Sequence, residues 1–332
     1  SGSEANDTQI RLIRRYWDLK GQPDRMTIIA RKNAYHGSTL GGASLGGMSA
    51  MHEQMVMPVP GIEHIEQPYP FELGADLSPE EFGLQQARLL EKKIQEIGAE
   101  KVAAFIGEPV QGAGGVIIPP ASYWPEIQRI CDEYGILLVA DEGITAFGRL
   151  GEWFGSPHYG IRPDLISFAK GVTSGYLPLG GIGISDEIAA TIRDSATPWM
   201  HAYTYSGHPT TCAVGLATLD YIESENLVEQ AKNKGAYLLE KLHRELDDHP
   251  HVGNVRGLGM MCGVELVEDK ASKSWYPPEW GVGPKMTKAM IDNGIFTRMR
   301  SEVICIAPPL TTDEATLDEL VAGIRNAIVT VF

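Results

Sequence analysis

Cysteine is scarce in this chain of 332 residues: there are four, Cys131, Cys212, Cys262 and Cys305, far apart and with no CxxC pair. That spacing excludes a disulfide framework and a cysteine-rich zinc site, and it predicts four buried reduced thiols in a cytoplasmic protein. Long apolar runs are missing as well. Nothing approaches the roughly 20 residues of a membrane-spanning helix, and no basic, then apolar, then small-residue leader opens the chain. Basic charge is in deficit, with 28 Lys and Arg against 43 Asp and Glu and a formal net charge of -15. Nucleic acid and anionic membranes would repel such a surface, so a small-molecule substrate is expected. Two motifs are absent, an HExxH or clustered His/Asp metal pattern and a GxGxxG fingerprint with its ribose-binding acid, and the GxSxG match "GASLG" at 42 does not follow a strand-like run as a nucleophile elbow does. Metal, simple hydrolase and dinucleotide chemistry lose their sequence support with them. The glycine-rich "GAGGV" at 112 and "RGLGMMCG" at 256 are read as turns. An initiating methionine is lacking too, and a start directly on "SGSEAN" predicts a fragment without its N-terminal segment.

What is present is a globular pattern. With 43% hydrophobic residues the chain can bury one large core and a second, smaller one. Between Asp7 and Lys20, Ile10, Ile13 and Trp17 recur at helical spacing, and Gly21 and Pro23 close the helix. Short apolar runs bounded by turn residues follow: "MTIIA" from 26, "VAAFIGEP" from 102, "GILLVADE" from 135, "DLISFAK" from 164 and "LGGIGIS" from 179. They read as buried strands. The segment "YWPEIQRICDEYG", with Ile127, Ile130 and Tyr134 on one face, places a helix between two of them, so the pattern is a mostly parallel α/β sheet. Beyond Pro209 a helical stretch leads to a strand-like "MCGVELV" and a helix after "APPLTTDEAT". Residues 1–222 are therefore expected to form a large domain and 223–332 a smaller one.

Three polar groups fall at predicted strand ends: Glu108 in "IGEPVQG", Asp141 in "LLVADEG" and Lys170 in "SFAKG". Ligands of such sheets sit at the carboxyl ends of the strands, so a carboxylate and an amine there form a candidate site. A charged lysine at the buried end of a strand is costly and demands a partner or neutralisation. Taken singly, Asp141 also suits a turn cap, Glu108 a surface acid before Pro109, and Lys170 an ion-pair partner of either. "SGSEAN" at a helix start offers free N–H groups and the positive end of a helix dipole, which suits a phosphate, although a plain N-cap accounts for it equally. "YHGST" at 35 and "YTYSGHP" at 203 put aromatic and hydroxyl groups in loops. His36 and His208 stand beside glycine there, where structural roles are expected.

Taken in order, "SGSEAN", "YHGST", "GEPVQGAGGV", "VADEGITAFGRLGEWFG", "DLISFAKGVTSGYLPLGG", "YTYSGHP" and "APPL" resemble the class III pyridoxal-phosphate aminotransferases, the ω-transaminase branch of fold type I. The resemblance covers essentially the whole chain. It implies a mostly parallel large-domain sheet with helices on both faces, a smaller C-terminal α+β domain, and pyridoxal 5'-phosphate as cofactor. It assigns Lys170 to the Schiff base with the cofactor aldehyde and Asp141 to the pyridine nitrogen, whose proton a carboxylate retains. Gly2 and Ser3 are similar to the family's phosphate cup, Tyr35 to its stacking aromatic, and His36, Glu108 and Ile144 to further residues around the cofactor. Thr204 matches a threonine that reaches the phosphate of the neighbouring subunit, which implies a homodimer. Arg298 resembles an arginine for the substrate carboxylate, with Arg300 a nearby competitor. Ile144 stands where ornithine and γ-aminobutyrate relatives typically carry glutamine, which leans toward amine or ω-amino acid donors and pyruvate as acceptor.

One position departs from the family. Position 143 is glycine where "DEV" is usual, and the loss of a side chain beneath the ring predicts a gap costing on the order of 1–3 kcal/mol. On that view Gly143→Val tightens the cofactor. The competing readings are another pyridoxal-phosphate chemistry, such as an aminomutase or racemase, and a noncatalytic relative that has kept the fold.

Overall fold

The computed structural model describes residues 1–54, 58–74 and 77–332. The chain forms two compact units: residues 1–112, 119–147 and 154–221 make the first, and 113–118, 148–153 and 222–332 the second.

In the first unit β1 (Thr27–Arg31), β2 (Ile62–Ile65), β3 (Val102–Gly107), β4 (Leu137–Asp141), β5 (Leu165–Phe168) and β6 (Gly181–Ile184) form a six-stranded sheet in the order β2-β1-β3-β4-β5-β6. The first five strands are parallel, and β6 returns antiparallel to β5. Side chains alternate across the sheet, so Leu137 and Val139 of β4 join Ala104 and Ile106 of β3 on one face. There they meet Leu12, Ile13, Tyr16 and Trp17 of the helix Gly2–Leu19. Phe105 points the other way, onto Trp124 of the helix Tyr123–Tyr134, with ring centroids 6.2 Å apart. With both faces covered, the strands read as continuous apolar runs, which is why they were legible.

Two details differ from the sequence expectation. The first helix begins at Gly2, not Asp7, because Ser1 and Glu4 form a capping box that draws "SGSEAN" into the first turns. The strand β2 was not expected at all: "IEHI" has a polar middle, tolerated because β2 is an edge strand.

The strand order creates the site. The chain leaves β1 toward β2 on one side, while β3 lies on the other, so their carboxyl ends diverge around a crevice.

In the second unit β7 (Val252–Leu258), β8 (Met261–Leu266), β9 (Arg298–Arg300) and β10 (Val303–Ile306) form an antiparallel sheet in the order β7-β8-β10-β9. Its core joins Val264 and Ile304 to Leu238, Leu242, Met286, Ile324 and Ile328 from three helices, Leu227–Leu246, Val282–Asp292 and Glu314–Val331. Only β8 was expected. The glycine and asparagine of β7 and the arginines of β9 hide them from an apolar-run search. The helical stretch after Pro209 is two helices, Pro209–Ser224 and Leu227–Leu246, separated at Asn226, whose φ of 51° is left-handed. The fold class is α/β with a mostly parallel sheet, as expected, and a second antiparallel sheet. Among the described residues no helix is long and apolar enough to cross a membrane.

Candidate active site

Asp141 is the last residue of β4 and shares the parity of Leu137 and Val139, so its side chain faces the helix Gly2–Leu19. Asn6 lies on the buried side of that helix and meets it. Asp141 Oδ2 accepts Asn6 Nδ2 at 2.8 Å and the Nδ1–H of His36 at 2.7 Å, and Oδ1 accepts the Gly143 N–H at 2.9 Å. A carboxylate only accepts, so His36 carries its proton on Nδ1. Burial alone pushes the Asp141 carboxyl up, but the His36 hydrogen bond and charge, the Gly143 N–H and the Asn6 amide outweigh it and hold the group below its ordinary value. It is thus an anion fixed at the strand end. The turn-cap reading holds for one oxygen.

Lys170 follows β5 by two residues with φ of 43°, a left-handed conformation that lysine rarely adopts. The residue is exposed, so the strand end at which it stands is not the buried position the sequence suggested. The turn at Lys170–Thr173 lifts the residue out of the strand, so the chain does not have to bury its charge in the sheet. Its amine donates to the Gly143 carbonyl at 3.3 Å, while Asp141 pairs with His36, so the alternative reading of Lys170 as an ion-pair partner of Asp141 is not what the structure shows.

Glu108 is only 4% exposed, which overturns the reading of a surface acid. Its oxygens accept the N–H groups of Tyr35 and Gly112, both at 3.0 Å. Burial drives its pKa up, with the nearby Asp141 charge adding to this and His36, the Tyr35 N–H and Arg31 opposing it. Glu142, fully buried beside Asp141, is a second carboxylate held by neutral donors. It accepts the N–H of Gly155 at 2.8 Å, the N–H of Ser156 at 2.7 Å, the Ser156 hydroxyl at 2.6 Å and the Thr145 hydroxyl.

These groups surround a hollow of about 480 Å³ within the first unit. Gly2, Ser3, Tyr35, His36, Glu108, Asp141, Ile144 and Lys170 all line it, so the structure gathers most of the residues the sequence singled out. It adds Asn6, Thr145, Thr173 and Tyr176. The signal for Asn6 was available: a polar side chain on the buried stripe of an amphipathic helix. Thr204 lines a separate hollow of about 950 Å³, although Leu177, Pro178 and Leu179 border both. Arg298 is exposed on β9 in the second unit, and His208 is exposed at the start of the helix Pro209–Ser224.

The residues fit pyridoxal phosphate. At the first turn of a helix the N–H groups of Gly2 and Ser3 have no intrahelical acceptor, and a Cβ on Gly2 would come within 3.3 Å of Ala169 Cβ, so glycine brings the helix end up to the residue before Lys170. The Ser3 hydroxyl accepts the Ser38 N–H at 3.1 Å across Gly37, whose φ of 129° and lack of a side chain permit the approach. His36 Nε2 is a buried ring nitrogen with no hydrogen-bond partner among the described residues. An anion for the ring nitrogen, an amine for the aldehyde and a dipole for the phosphate are therefore all present in one hollow.

Residues 1–328 match the family described as aminotransferase class-III. The chain is 49% identical over 328 residues to a putrescine–pyruvate aminotransferase of Pseudomonas aeruginosa, covering 99% of this chain and 72% of that protein. It is 42% identical over 336 residues to a diaminobutyrate–2-oxoglutarate transaminase of Halomonas elongata, with 99% and 72% covered. Among solved structures, a thermostable (S)-enantioselective ω-transaminase from Thermomicrobium roseum superposes with a TM-score of 0.97 at 49% identity, covering 100% of this chain and 74% of that one. An ω-transaminase of Pseudomonas jessenii in complex with PMP gives a TM-score of 0.97 at 39% identity, with the same shares covered.

Proposed function

Since this chain belongs to the class-III aminotransferases and is a pyridoxal-phosphate-dependent enzyme, we propose that the hollow around Lys170 is where it moves an amino group from a primary amine or ω-amino acid to pyruvate or another keto acid. The observation that carries the assignment is that the Lys170 amine and the Asp141 carboxylate both hydrogen-bond residue 143 and line one hollow at the switch point of the sheet. When bound, pyridoxal phosphate supplies an aldehyde for amines and a ring that withdraws electrons from the carbon bearing the amino group. Lys170 would hold the cofactor through its amine and, when that amine is free, would be the base that moves the proton at the carbon bearing the amino group. Its exposed position suits an amine that must move. Asp141 would keep a proton on the ring nitrogen, and the His36 and Asn6 hydrogen bonds hold Asp141 ionised for that task. Gly2 and Ser3 receive the phosphate on backbone N–H groups, and Tyr35 forms a wall on which a ring can stack.

The donor reading rests on two supports. A relative named for putrescine and pyruvate shares 49% identity over nearly the whole chain, and Ile144 in the hollow puts an apolar side chain where glutamine is typical of other branches. Diamines such as putrescine are therefore the first donors to try, with β-alanine next. Arg298 is proposed to take the carboxylate of the acceptor, for which a guanidinium fork is suited. The four free cysteines support a reducing, cytoplasmic setting.

The experiment is a visible absorption spectrum of the purified chain with pyridoxal phosphate, borohydride fixation, and peptide mapping. The expected outcome is a band that borohydride bleaches, with the fixed cofactor on the peptide containing Lys170 and none in Lys170→Ala. Alanine formation from putrescine and pyruvate then tests the donor. Fixation elsewhere, or no band, would sink the site assignment, and racemised or isomerised product would favour another pyridoxal-phosphate chemistry.

A further inference from the structure

The first helix carries a second stripe. Asn6, Ile13, Tyr16 and Trp17 face the sheet, whereas Glu4, Thr8, Arg11 and Arg15 recur at helical spacing on a side that meets residues 197–203. Arg15 donates to the Thr197 hydroxyl at 2.5 Å, Arg11 Nη2 to the Met200 carbonyl at 3.1 Å, and the Tyr203 hydroxyl to the Glu4 carbonyl at 3.4 Å. His201 stands at the centre of this strap, in the hollow that Thr204 lines. Its ring stacks on Trp199 with centroids 4.7 Å apart; Nδ1 lies 2.5 Å from Arg11 Nη1, and Nε2 lies 2.8 Å from the Thr8 hydroxyl.

These two contacts fix the proton of the ring. A guanidinium only donates, so Nδ1 must present a lone pair. The one proton of the Thr8 hydroxyl goes to the Glu4 carbonyl at 2.8 Å, so that hydroxyl accepts from His201 and the ring proton sits on Nε2. A second proton, on Nδ1, would set two donors and two like charges against each other. Burial first, and the Arg11 charge second, accordingly hold His201 below the ordinary histidine value. The other charged and titratable groups nearby are Arg15 and Glu4 from the first helix, the latter with its carboxylate turned to Ser1, and Tyr203 and His208 from the segment of His201 itself. Residues 177–182, the opposite wall of the hollow, bring none.

We propose that His201 is a positioning residue for the segment that carries Thr204, three residues further on, and that it holds this segment on the first helix only while its ring is neutral. The link to the cofactor rests on the function proposed above and on the phosphate role that the family resemblance gives Thr204, whereas the strap itself does not. A histidine held below its ordinary value makes its full contribution above about pH 6.5. That contribution is lost as the pH falls further, because the released segment takes up a proton that the strapped one refuses.

The test uses the 332-residue chain with isotope-labelled histidine rings, in wild-type, His201→Gln and Arg11→Gln forms. Glutamine at 201 keeps an uncharged donor and acceptor, and the resonance it removes is that of His201. In the cofactor-free wild type His201 is expected to be the Nε2–H tautomer and to titrate below free histidine, and Arg11→Gln is expected to move that titration up. Between about pH 7.5 and about pH 5.5 the dissociation constant for pyridoxal phosphate is expected to rise about threefold more in wild type than in His201→Gln, within the tenfold per pH unit that one linked proton allows. An Nδ1–H tautomer, or a titration that Arg11→Gln leaves unmoved, overturns the strap. Equal pH dependence of cofactor binding in wild type and His201→Gln overturns the positioning of Thr204. If His201→Gln does not fold, Arg11→Gln still decides, since the strap requires one histidine titration to move with it. A wild-type chain that fixes no cofactor on Lys170 would sink the proposed function, and the ring titration would still judge the strap.

Discussion

At the residue scale the site is a problem in keeping one carboxylate ionised away from water. Asp141 is solved locally by Gly143 and at long range by His36 and Asn6, the latter 135 positions away. Removing Asn6 isolates the effect, since Asn6→Ala deletes a donor without changing charge. It is expected to cost about 1–3 kcal/mol in urea denaturation at neutral pH. The sign with pH follows from the depressed folded value. Stability from Asp141 is present above its unfolded pKa, near about 3.9, and is lost as pH falls through the lower folded one. Asn6→Ala raises the folded value and narrows that window, so its deficit against wild type shrinks on acidification; a deficit that grows toward low pH would contradict the account. The candidates Asp141, Glu108 and Lys170 were legible because strand ends are legible. Asn6 was not proposed because its partner lies on another element, and no local pattern says which buried polar residue meets which.

At the element scale two buried carboxylates hold the loops that carry the site. Glu108 ties the segment after β1 to Gly112, immediately before residues 113–118 leave for the second unit. Glu142 ties Thr145 to Gly155 and Ser156, which flank residues 148–153, the other excursion. Each excursion is therefore anchored in the first unit by a side chain that answers backbone N–H groups. Glu142→Ala would leave four donors without an acceptor, two of them buried main-chain groups, and is expected to destabilise the chain by at least about 3 kcal/mol. Denaturant midpoints would measure it, and a loss under about 1 kcal/mol would show that water replaces the carboxylate. Neither anchor could be read from spacing. Glu142 sits in a motif beside a better candidate, and its partners lie 13 and 14 residues further on, at the start of the short helix Gly155–His158.

At the scale of the whole molecule the first unit exposes Tyr176, Met200, Tyr205 and Leu216 at 65–82% of their surfaces. Thr204 lies in the same region, in a hollow that shares Leu177 to Leu179 with the site. The homodimer that the family resemblance implies, with Thr204 acting on the neighbouring subunit, would give such exposed apolar side chains a partner to cover them. Sedimentation is expected to show a dimer. Mixing Lys170→Ala with Thr204→Val chains would then create hybrids in which one of two sites has both residues intact. Activity above the sum of the separate variants is the expected result; strict additivity would place Thr204 in the site of its own chain.

The amino-acid sequence alone determined the class of fold and the chemistry at the strand ends. Both follow from local rules: a strand buried on both faces must be apolar, and a polar residue that ends such a run stands out. Direction, neighbours and reach were decided only by tertiary structure. The antiparallel return of β6, the edge strand β2, the pairing of Asn6 with Asp141 and the exposure of Lys170 depend on which elements pack together.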